Sequence, residues 1–301
     1  MKAVLVDHRG TVLERWADHD PAPEARTVAA VLARISTAVA ALDPGGLPIG
    51  VAVPGFFDTR ESVVRSSPNF PEWVDVPLAT LLEEALGSRV SVDNDANAAV
   101  LGEAWAGAAT GLREVVMLTL GTGVGSGFLV NGRVLRGARG AAAEAGHMVI
   151  HPGGRPCGCG RRGCLETYAS GPGLVRTARE MWEGEGRADA PNTATGLFAL
   201  HAAQDPTAGR VVTRFASDLA RGLTTLVHLF APEAIVLGGG VSTSLQTYRG
   251  ALETELSGGA IQACIVDALP VRAAALGSSS GAVGAARSAV LASCPEMGAG
   301  S

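Results

Sequence analysis

Three cysteines crowd into eight residues, Cys157-Gly-Cys159-Gly-Arg-Arg-Gly-Cys164, and Glu144-Ala-Gly-His147 stands ten residues ahead of the first of them. From 147 to 166 the chain is rich in Gly, Cys and Pro and follows neither a helical nor a strand period, so the segment needs an organiser other than its own backbone pattern. No secretory signal is expected, because Asp7 interrupts the apolar start, and clustered cysteines then point to metal before disulfide. One imidazole and three thiolates (His147, Cys157, Cys159 and Cys164) suit a closed, four-coordinate zinc site; the alternative is a set of reduced, unligated cysteines. Such a zinc has no open position, so it would organise the loop and not catalyse. It would pin Glu144 and Glu166, each of which alone reads as a solvated glutamate. Cys264 and Cys294 sit apart in bland surroundings.

Around this loop, apolar strand-like runs alternate with helical patterns. KAVLV (2–6), TVLER (11–15), IGVAV (49–53), RVSVD (89–93), VVMLTL (115–120), FLV (128–130) and AIVLGGG (234–240) read as strands. Helical spacing is expected over 25–41, 77–86, 95–105, 172–183, 206–230, 243–256 and 280–292. The stretch from 54 through Trp73 is punctuated by Pro and Gly and reads as loop. There is no tandem repeat and no low-complexity block beyond the GAGS tail. The alternation predicts an α/β protein.

A length of 301 residues predicts about two domains, or one large two-lobed one. Hydrophobic residues at 47% and charged residues at 18% exclude a disordered chain. A net charge of -5 gives no field that favours nucleic acid. No apolar run approaches the roughly 20 residues of a membrane span, and a soluble, cytoplasmic protein is expected. Basic residues are almost all Arg, with Lys2 the single lysine. That excludes a GxxxxGK[ST] phosphate loop and argues against Schiff-base chemistry.

Two glycine clusters follow apolar strands, GTGVGSG at 121–127 and GGG at 238–240. Each reads either as a tight turn or as backbone that can approach a phosphate closely. A dinucleotide fingerprint fits poorly, because strand and not helix follows the first. Asn94 and Asp95 sit where a strand gives way to a helix. Either the pair caps the helix, or a carboxylate lies at a strand's C-terminal end, where α/β folds place ligand chemistry.

Taken together, VAVPGFFD (51–58), SPNFPEW (67–73), VDNDANAAVLGE (92–103), LTLGTGVGSGFLVNG (118–132), AEAGHMVI (143–150), CGCGRRGCLETYASG (157–171), PEAIVLGGGV (232–241) and LGSSSGAVGAA (276–286) resemble the ROK family (repressors, open reading frames and sugar kinases). The blocks run in family order over nearly the whole chain, and EAGH with CxCGxxGCxE is the most specific of them. The resemblance implies a two-lobed actin-like, hexokinase-type ATPase fold with ribonuclease H-like lobes. A smaller N-terminal lobe would span 1–107, with the helix near 280–292 returning to it, and a larger lobe 108–279 would carry the zinc loop. It implies ATP-dependent phosphorylation of a hexose, glucose first and N-acetylglucosamine or N-acetylmannosamine as alternatives, with Mg²⁺ as a further cofactor. Asp95 would be the general base. Asn69, Asn94, Glu144, His147 and Glu166 would hold the sugar, and His147, Cys157, Cys159 and Cys164 the zinc. Gly121, Thr122 and Gly123 would face phosphate, and Gly238, Gly239 and Gly240 the adenosine. A homodimer is expected.

One departure stands out. Kinases of the family open with a strand ending in Asp-x-Gly-Gly-Thr, whereas Met1–Asp7 here resembles the strand after it. About a dozen residues, a strand and its turn, would lie ahead of Met1 on strand-length grounds. Either the start is assigned at an internal Met, or the chain lacks the loop and phosphotransfer with it, leaving a sugar sensor or an inactive sugar-binding protein. Loss of that strand would expose a sheet edge, which favours the first explanation. Ala143, where a Gly often precedes the Glu, is a smaller departure.

Overall fold

The computed structural model describes residues 1–19, 26–67, 69–261, 264 and 269–294. In chain order the elements are β1 (Lys2–Val6), β2 (Val12–Ala17), α1 (Val28–Leu42), β3 (Ile49–Val53), β4 (Phe56–Asp58), β5 (Val63–Ser67), β6 (Phe70–Val76), α2 (Leu78–Leu86), β7 (Val90–Asn94) and α3 (Asp95–Ala106). There follow β8 (Val115–Leu120), β9 (Val124–Val130), β10 (Arg133–Val134), α4 (Glu166–Ala169), α5 (Gly171–Gly184), α6 (Ala194–Ala202), α7 (Pro206–Phe230), β11 (Ala234–Gly238), α8 (Leu245–Gly259), β12 (Val271–Ala273) and α9 (Ser280–Ser293). Two compact units result. The first holds Met1–Arg113, Gly127–Ala143 and the C-terminal stretch from Ala275; the second holds Glu114–Ser126 and Glu144–Ala274.

In the first unit β1 and β2 form an antiparallel pair, and β3 and β7 a parallel pair in the register Val53 to Asn94. The 54–73 stretch, expected as loop, is an antiparallel sheet in the order β4-β5-β6. Its strands are short, broken by register shifts and half exposed, so no clean alternation marks them in the sequence. The core gathers Val31 and Ile35 from α1, Leu78 and Leu82 from α2, and Val53, Val64, Trp73, Val90 and Val92 from the strands. The α1 pattern explains itself: apolar residues recur on one face, and Thr27 caps the helix by accepting from the Ala30 N–H. The GAGS tail and residue 25 of the expected first helix lie outside the described residues.

Helices α3 and α9 touch backbone to backbone. A Cβ at Gly284 would fall on the Ala98 carbonyl, and one at Gly102 on the Ser280 carbonyl. Glu103, fully buried, closes this contact. Its carboxylate accepts from the N–H groups of Ala108 (2.8 Å), Ala275 (2.9 Å) and Leu276 (3.0 Å) and from the Ser280 hydroxyl (2.6 Å). Removing it would take that acceptor from four donors, the buried Ser280 hydroxyl among them, so Glu103→Ala should cost about 3 kcal/mol of stability, measured by urea unfolding.

In the second unit β8, β11 and β12 run parallel, with Leu118 opposite Leu237 and Val236 opposite Arg272. The fully buried Met117, Leu118, Ile235 and Val236 make these strands continuously apolar, as a sheet covered on both faces requires. Helix α7 lays Val211, Phe215, Leu219, Leu223 and Leu226 along one buried stripe. Three short elements were not anticipated: α4, α6 and β12, each nine residues or fewer. Strand β9 also begins earlier than FLV, at Val124. Among the described residues no helix is long and apolar enough to cross a membrane.

Candidate active site and metal centre

In the first unit the chemistry gathers where β7 gives way to α3. Asn94 caps the helix: its Oδ1 accepts from the N–H groups of Ala96 (2.9 Å) and Asn97 (3.1 Å), and its Nδ2 donates to the Gly55 carbonyl (3.0 Å). This fixes the orientation of Asp95, the first helical residue, whose Oδ1 shares the Ala96 N–H at 2.9 Å. Asp95 is reached by solvent at the wall of a cavity of about 710 Å³ yet has protein on most sides. Burial pushes its pKa above the ordinary 3.8, while the Ala96 N–H pulls the other way. A carboxylate moved toward neutrality is a better proton acceptor than a free one. Beneath it, buried Asp93 takes the Asn94 N–H at 2.9 Å and pairs with Arg136. Asn69 lies exposed in the turn between β5 and β6.

In the second unit β8 ends at Leu120, and Gly121, Thr122 and Gly123 turn the chain into β9, closed by the Gly121 N–H to the Gly123 carbonyl at 2.9 Å. The expected seven-residue glycine loop is thus a three-residue turn, and residues 124–127 are strand. The Gly171 N–H at the start of α5 donates to Gly121 O at 2.8 Å, and Ser170 caps that helix. The turn therefore sits at a helix N-terminus, where free N–H groups and the helix dipole favour an anion. The second cluster lies beside it. Gly238 ends β11 opposite Thr119, and Gly239 has φ +82° and lies so close to Leu120 that a Cβ there would meet its carbonyl. Both turns thus lie at the C-terminal ends of neighbouring parallel strands, the ligand-binding end of α/β sheets.

The Cys/His segment packs against this end. His147, Cys157, Cys159 and Cys164 each offer one ligand atom, all within 4.8 Å of one another. His147 Nδ1 stands 3.6 Å from Cys157 Sγ, and Cys159 Sγ 3.7 Å from Cys164 Sγ. Sulfurs placed about 2.3 Å from a tetrahedral zinc are roughly 3.8 Å apart, so the donor set and its spacing fit that ion. Burial, and then the neighbouring thiols, push Cys164 up to about 12. A divalent cation removes that penalty by taking the thiolates as ligands. With Nδ1 turned to the sulfurs, Nε2 of His147 is left for another partner.

Glu166 joins the Cys/His cluster to the glycine turn. Its Oε2 accepts the Val124 N–H at 3.1 Å, and its Oε1 lies 3.8 Å from Cys157 Sγ. A Cβ at Gly123 would run into that carboxylate, so a larger residue there would displace Glu166. Glu144 is exposed, just ahead of the short 3₁₀ turn Ala145–His147. Ala143 before it has φ +65°, a left-handed conformation that costs a non-glycine residue. Ala143→Gly should therefore stabilise the protein by about 0.5–1 kcal/mol in urea unfolding. Sequence reasoning passed over Arg155, which is buried and donates to the carbonyls of Thr167 (2.8 Å) and Gly173 (3.2 Å) and to Thr177 Oγ1 (2.9 Å). It also stacks 4.5 Å over the Tyr168 ring. A lone Arg in an irregular stretch carries no pattern that would reveal this anchoring.

The ROK family model matches residues 1–291. The chain belongs to the ROK family. A glucokinase from Thermotoga maritima is 39% identical over 216 residues, 69% of this chain and 68% of its own length. Among solved structures, the ROK hexokinase from Thermus thermophilus superposes with a TM-score of 0.79 at 37% identity, covering 97% of this chain and 99% of that one. A ROK family glucokinase from Streptomyces griseus, in complex with glucose and AMPPNP, gives 0.79 at 33% identity over 95% of each chain. The xylose repressor of Bacillus subtilis is 31% identical over 71% of this chain but only 53% of its own. The fold is thus the α/β actin-like, hexokinase-type fold of ROK kinases, and the chain is a sugar kinase homologue.

Proposed function

We propose that this protein transfers the γ-phosphoryl group of ATP to a hexose, glucose before other sugars, in the cytoplasm and as a homodimer. The observation that carries the reading is the 33% identity, over 95% of each chain, to a ROK glucokinase that binds glucose and an ATP analogue. Asp95 is the general base: it takes the proton of the attacking hydroxyl as that oxygen bonds to phosphorus and the bond to ADP breaks. Asn94 positions Asp95 and the helix start. Glu144, His147 through Nε2, and Glu166 receive sugar hydroxyls, with Asn69 as a further contact. The turn of Gly121, Thr122 and Gly123 faces phosphate, and the turn of Gly238, Gly239 and Gly240 the adenosine. Zinc at His147, Cys157, Cys159 and Cys164 is structural. Mg²⁺ arriving with the nucleotide supplies charge neutralisation for phosphoryl transfer.

The test is ADP release with Mg-ATP and glucose, N-acetylglucosamine, N-acetylmannosamine or fructose. Turnover with glucose highest supports the proposal; preference for an N-acetylated sugar makes this an amino-sugar kinase. Saturable sugar binding without ADP release from any of them would favour a sensor or inactive sugar-binding body, the reading the xylose repressor match supports. Glu166→Ala should abolish glucose binding by calorimetry, because it removes a hydroxyl acceptor whose placement two backbone elements fix. Unchanged affinity there would move the sugar elsewhere.

A further inference from the structure

Asp93, two residues ahead of Asp95, is a buried carboxylate, 3% exposed, that the chemistry proposed above leaves without a task. A buried charge is costly unless it is paired and hydrogen-bonded, so its partners show what it holds. Oδ1 accepts the Asn94 N–H at 2.9 Å, and Asn97 Nδ2 stands 3.5 Å from the same oxygen. Oδ2 pairs with the Arg136 guanidinium, whose side chain is 34% exposed.

Arg136 is itself held in place. Strand β9 lies against the first turn of α3, where a Cβ at Gly127 would meet the Ala96 carbonyl. After β10 the Leu135 N–H donates back to the Phe128 carbonyl at 2.9 Å, and the Ala142 N–H to the Arg136 carbonyl at 3.2 Å. The loop closed in this way carries a second guanidinium, Arg139, onto a second buried aspartate, Asp58, at 2.7 Å. One loop thus makes two ion pairs with different targets. Arg139 serves β4, and Arg136 serves the junction of β7 with α3.

Asp95 follows that junction. Its carboxylate takes the Ala96 N–H, a contact inside its own turn, so the aim of the carboxylate is the aim of the turn. Asn94 fixes the turn through its cap and its amide on the Gly55 carbonyl, and Asp93 receives the Asn94 N–H. We infer that Arg136, acting through Asp93, is a positioning residue that sets the aim of Asp95. This rests on the reading of Asp95 as the base. The burial of the two partners makes the pair asymmetric. Without Arg136 a buried carboxylate loses its counter-charge and must take a proton or draw in water, and both weaken its hold on Asn94. Without the Asp93 charge, the guanidinium turns to solvent, and an amide oxygen can still accept the Asn94 N–H.

The test compares Arg136→Met, Asp93→Asn, the two combined, and Arg139→Met, by glucose turnover, glucose calorimetry and amide exchange. Arg136→Met should lower kcat about 10–100-fold and leave the glucose Kd within about threefold. It should also speed exchange at the Asn94, Ala96 and Asn97 amides about tenfold. Asp93→Asn and the combined variant should both stay within about fivefold of the parent, because neither leaves a buried charge unpaired. Arg139→Met should speed exchange at Arg60 and Glu61, whose N–H groups Asp58 receives, and spare kcat. Unchanged kcat or unchanged exchange at Asn94–Asn97 in Arg136→Met overturns the inference. So does a combined variant no better than Arg136→Met, or an equal kcat loss in Arg139→Met. If Arg136→Met does not fold, Arg136→Gln takes its place with the same expectations. Asp95→Asn, measured alongside, separates the two readings. Undiminished turnover there removes the base; lost turnover there with full activity in Arg136→Met removes only the positioning role. In a chain without turnover, exchange at Asn94–Asn97 decides by itself whether Arg136 holds the turn.

Discussion

Asp95→Asn should lower kcat by about 10²–10⁴-fold while leaving the glucose Kd within a few-fold of the parent. The substitution keeps the side chain's size and leaves an oxygen to accept the Ala96 N–H that Asp95 now receives at 2.9 Å. It removes only the ability to take a proton. Asn94 is untouched, so the cap on α3 and the helix start remain. Calorimetry with glucose and a steady-state assay for ADP separate the two effects, and undiminished turnover would take Asp95 out of the chemistry. The pH profile is a second signature. Burial raises the Asp95 pKa above 3.8, and the ionised form is the working base. Activity is therefore present above the raised pKa and lost as pH falls through it, so the acidic limb of kcat/KM should lie above 3.8. That limb should be missing from the residual activity of Asp95→Asn.

The parts of this site that the sequence exposed are those where chemistry and backbone pattern coincide. Four ligand-type residues in an aperiodic segment announced a metal cluster, because no helical or strand period competes there for the same residues. Strand ends carrying glycines announced the two turns, although the first proved shorter than seven residues, since glycines at alternate positions of a strand look the same on paper as glycines in a loop. What stayed hidden depends on partners far along the chain. Glu103 acts by receiving N–H groups more than 170 residues away, and Arg155 by reaching α4 and α5 at once. The β4-β5-β6 sheet was hidden for the opposite reason. Its strands are short, and Pro71 and Gly55 stand inside or beside them, so local breaker signals outweighed a pairing that only tertiary context supplies. The helix cap answers one of the two readings of this junction: Asn94 caps α3, and the neighbouring Asp95 carboxylate keeps its proposed role as base.

Purified protein should carry about one zinc per chain, and removing it should undo the order of the second unit's site residues. Structural zinc contributes about 10–16 kcal/mol of apparent binding free energy in small peptides, as much as a whole domain's net stability of roughly 5–15 kcal/mol. Apart from the ion, the 147–166 segment is held by two isolated bridges, Val149 with Cys164 and Pro156 with Arg162, by the Arg155 anchor, by His151 on Asp218 at 2.7 Å and by backbone bonds such as the Leu165 N–H to the Met148 carbonyl at 2.8 Å, none of which satisfies the clustered thiols. Without the ion, three thiols with mutual contacts and a fully buried Cys164 would sit together. Chelation, or Cys164→Ser, should therefore speed amide exchange across 147–166 and lower the Tm. It should also abolish glucose affinity, because Glu166 and His147 depend on that segment for their positions. Acid should act in the same direction, since protons compete with metal for thiolates: zinc affinity falls as pH falls and recovers as it rises. Metal-free protein with unchanged exchange at 147–166 and unchanged glucose binding would remove zinc from the architecture. If exchange speeds up while glucose still binds, the sugar contacts assigned to Glu166 and His147 fail and the metal assignment stands. The two assignments are thus separable, although one side chain, Glu166, touches both the metal cluster and the Gly123 turn.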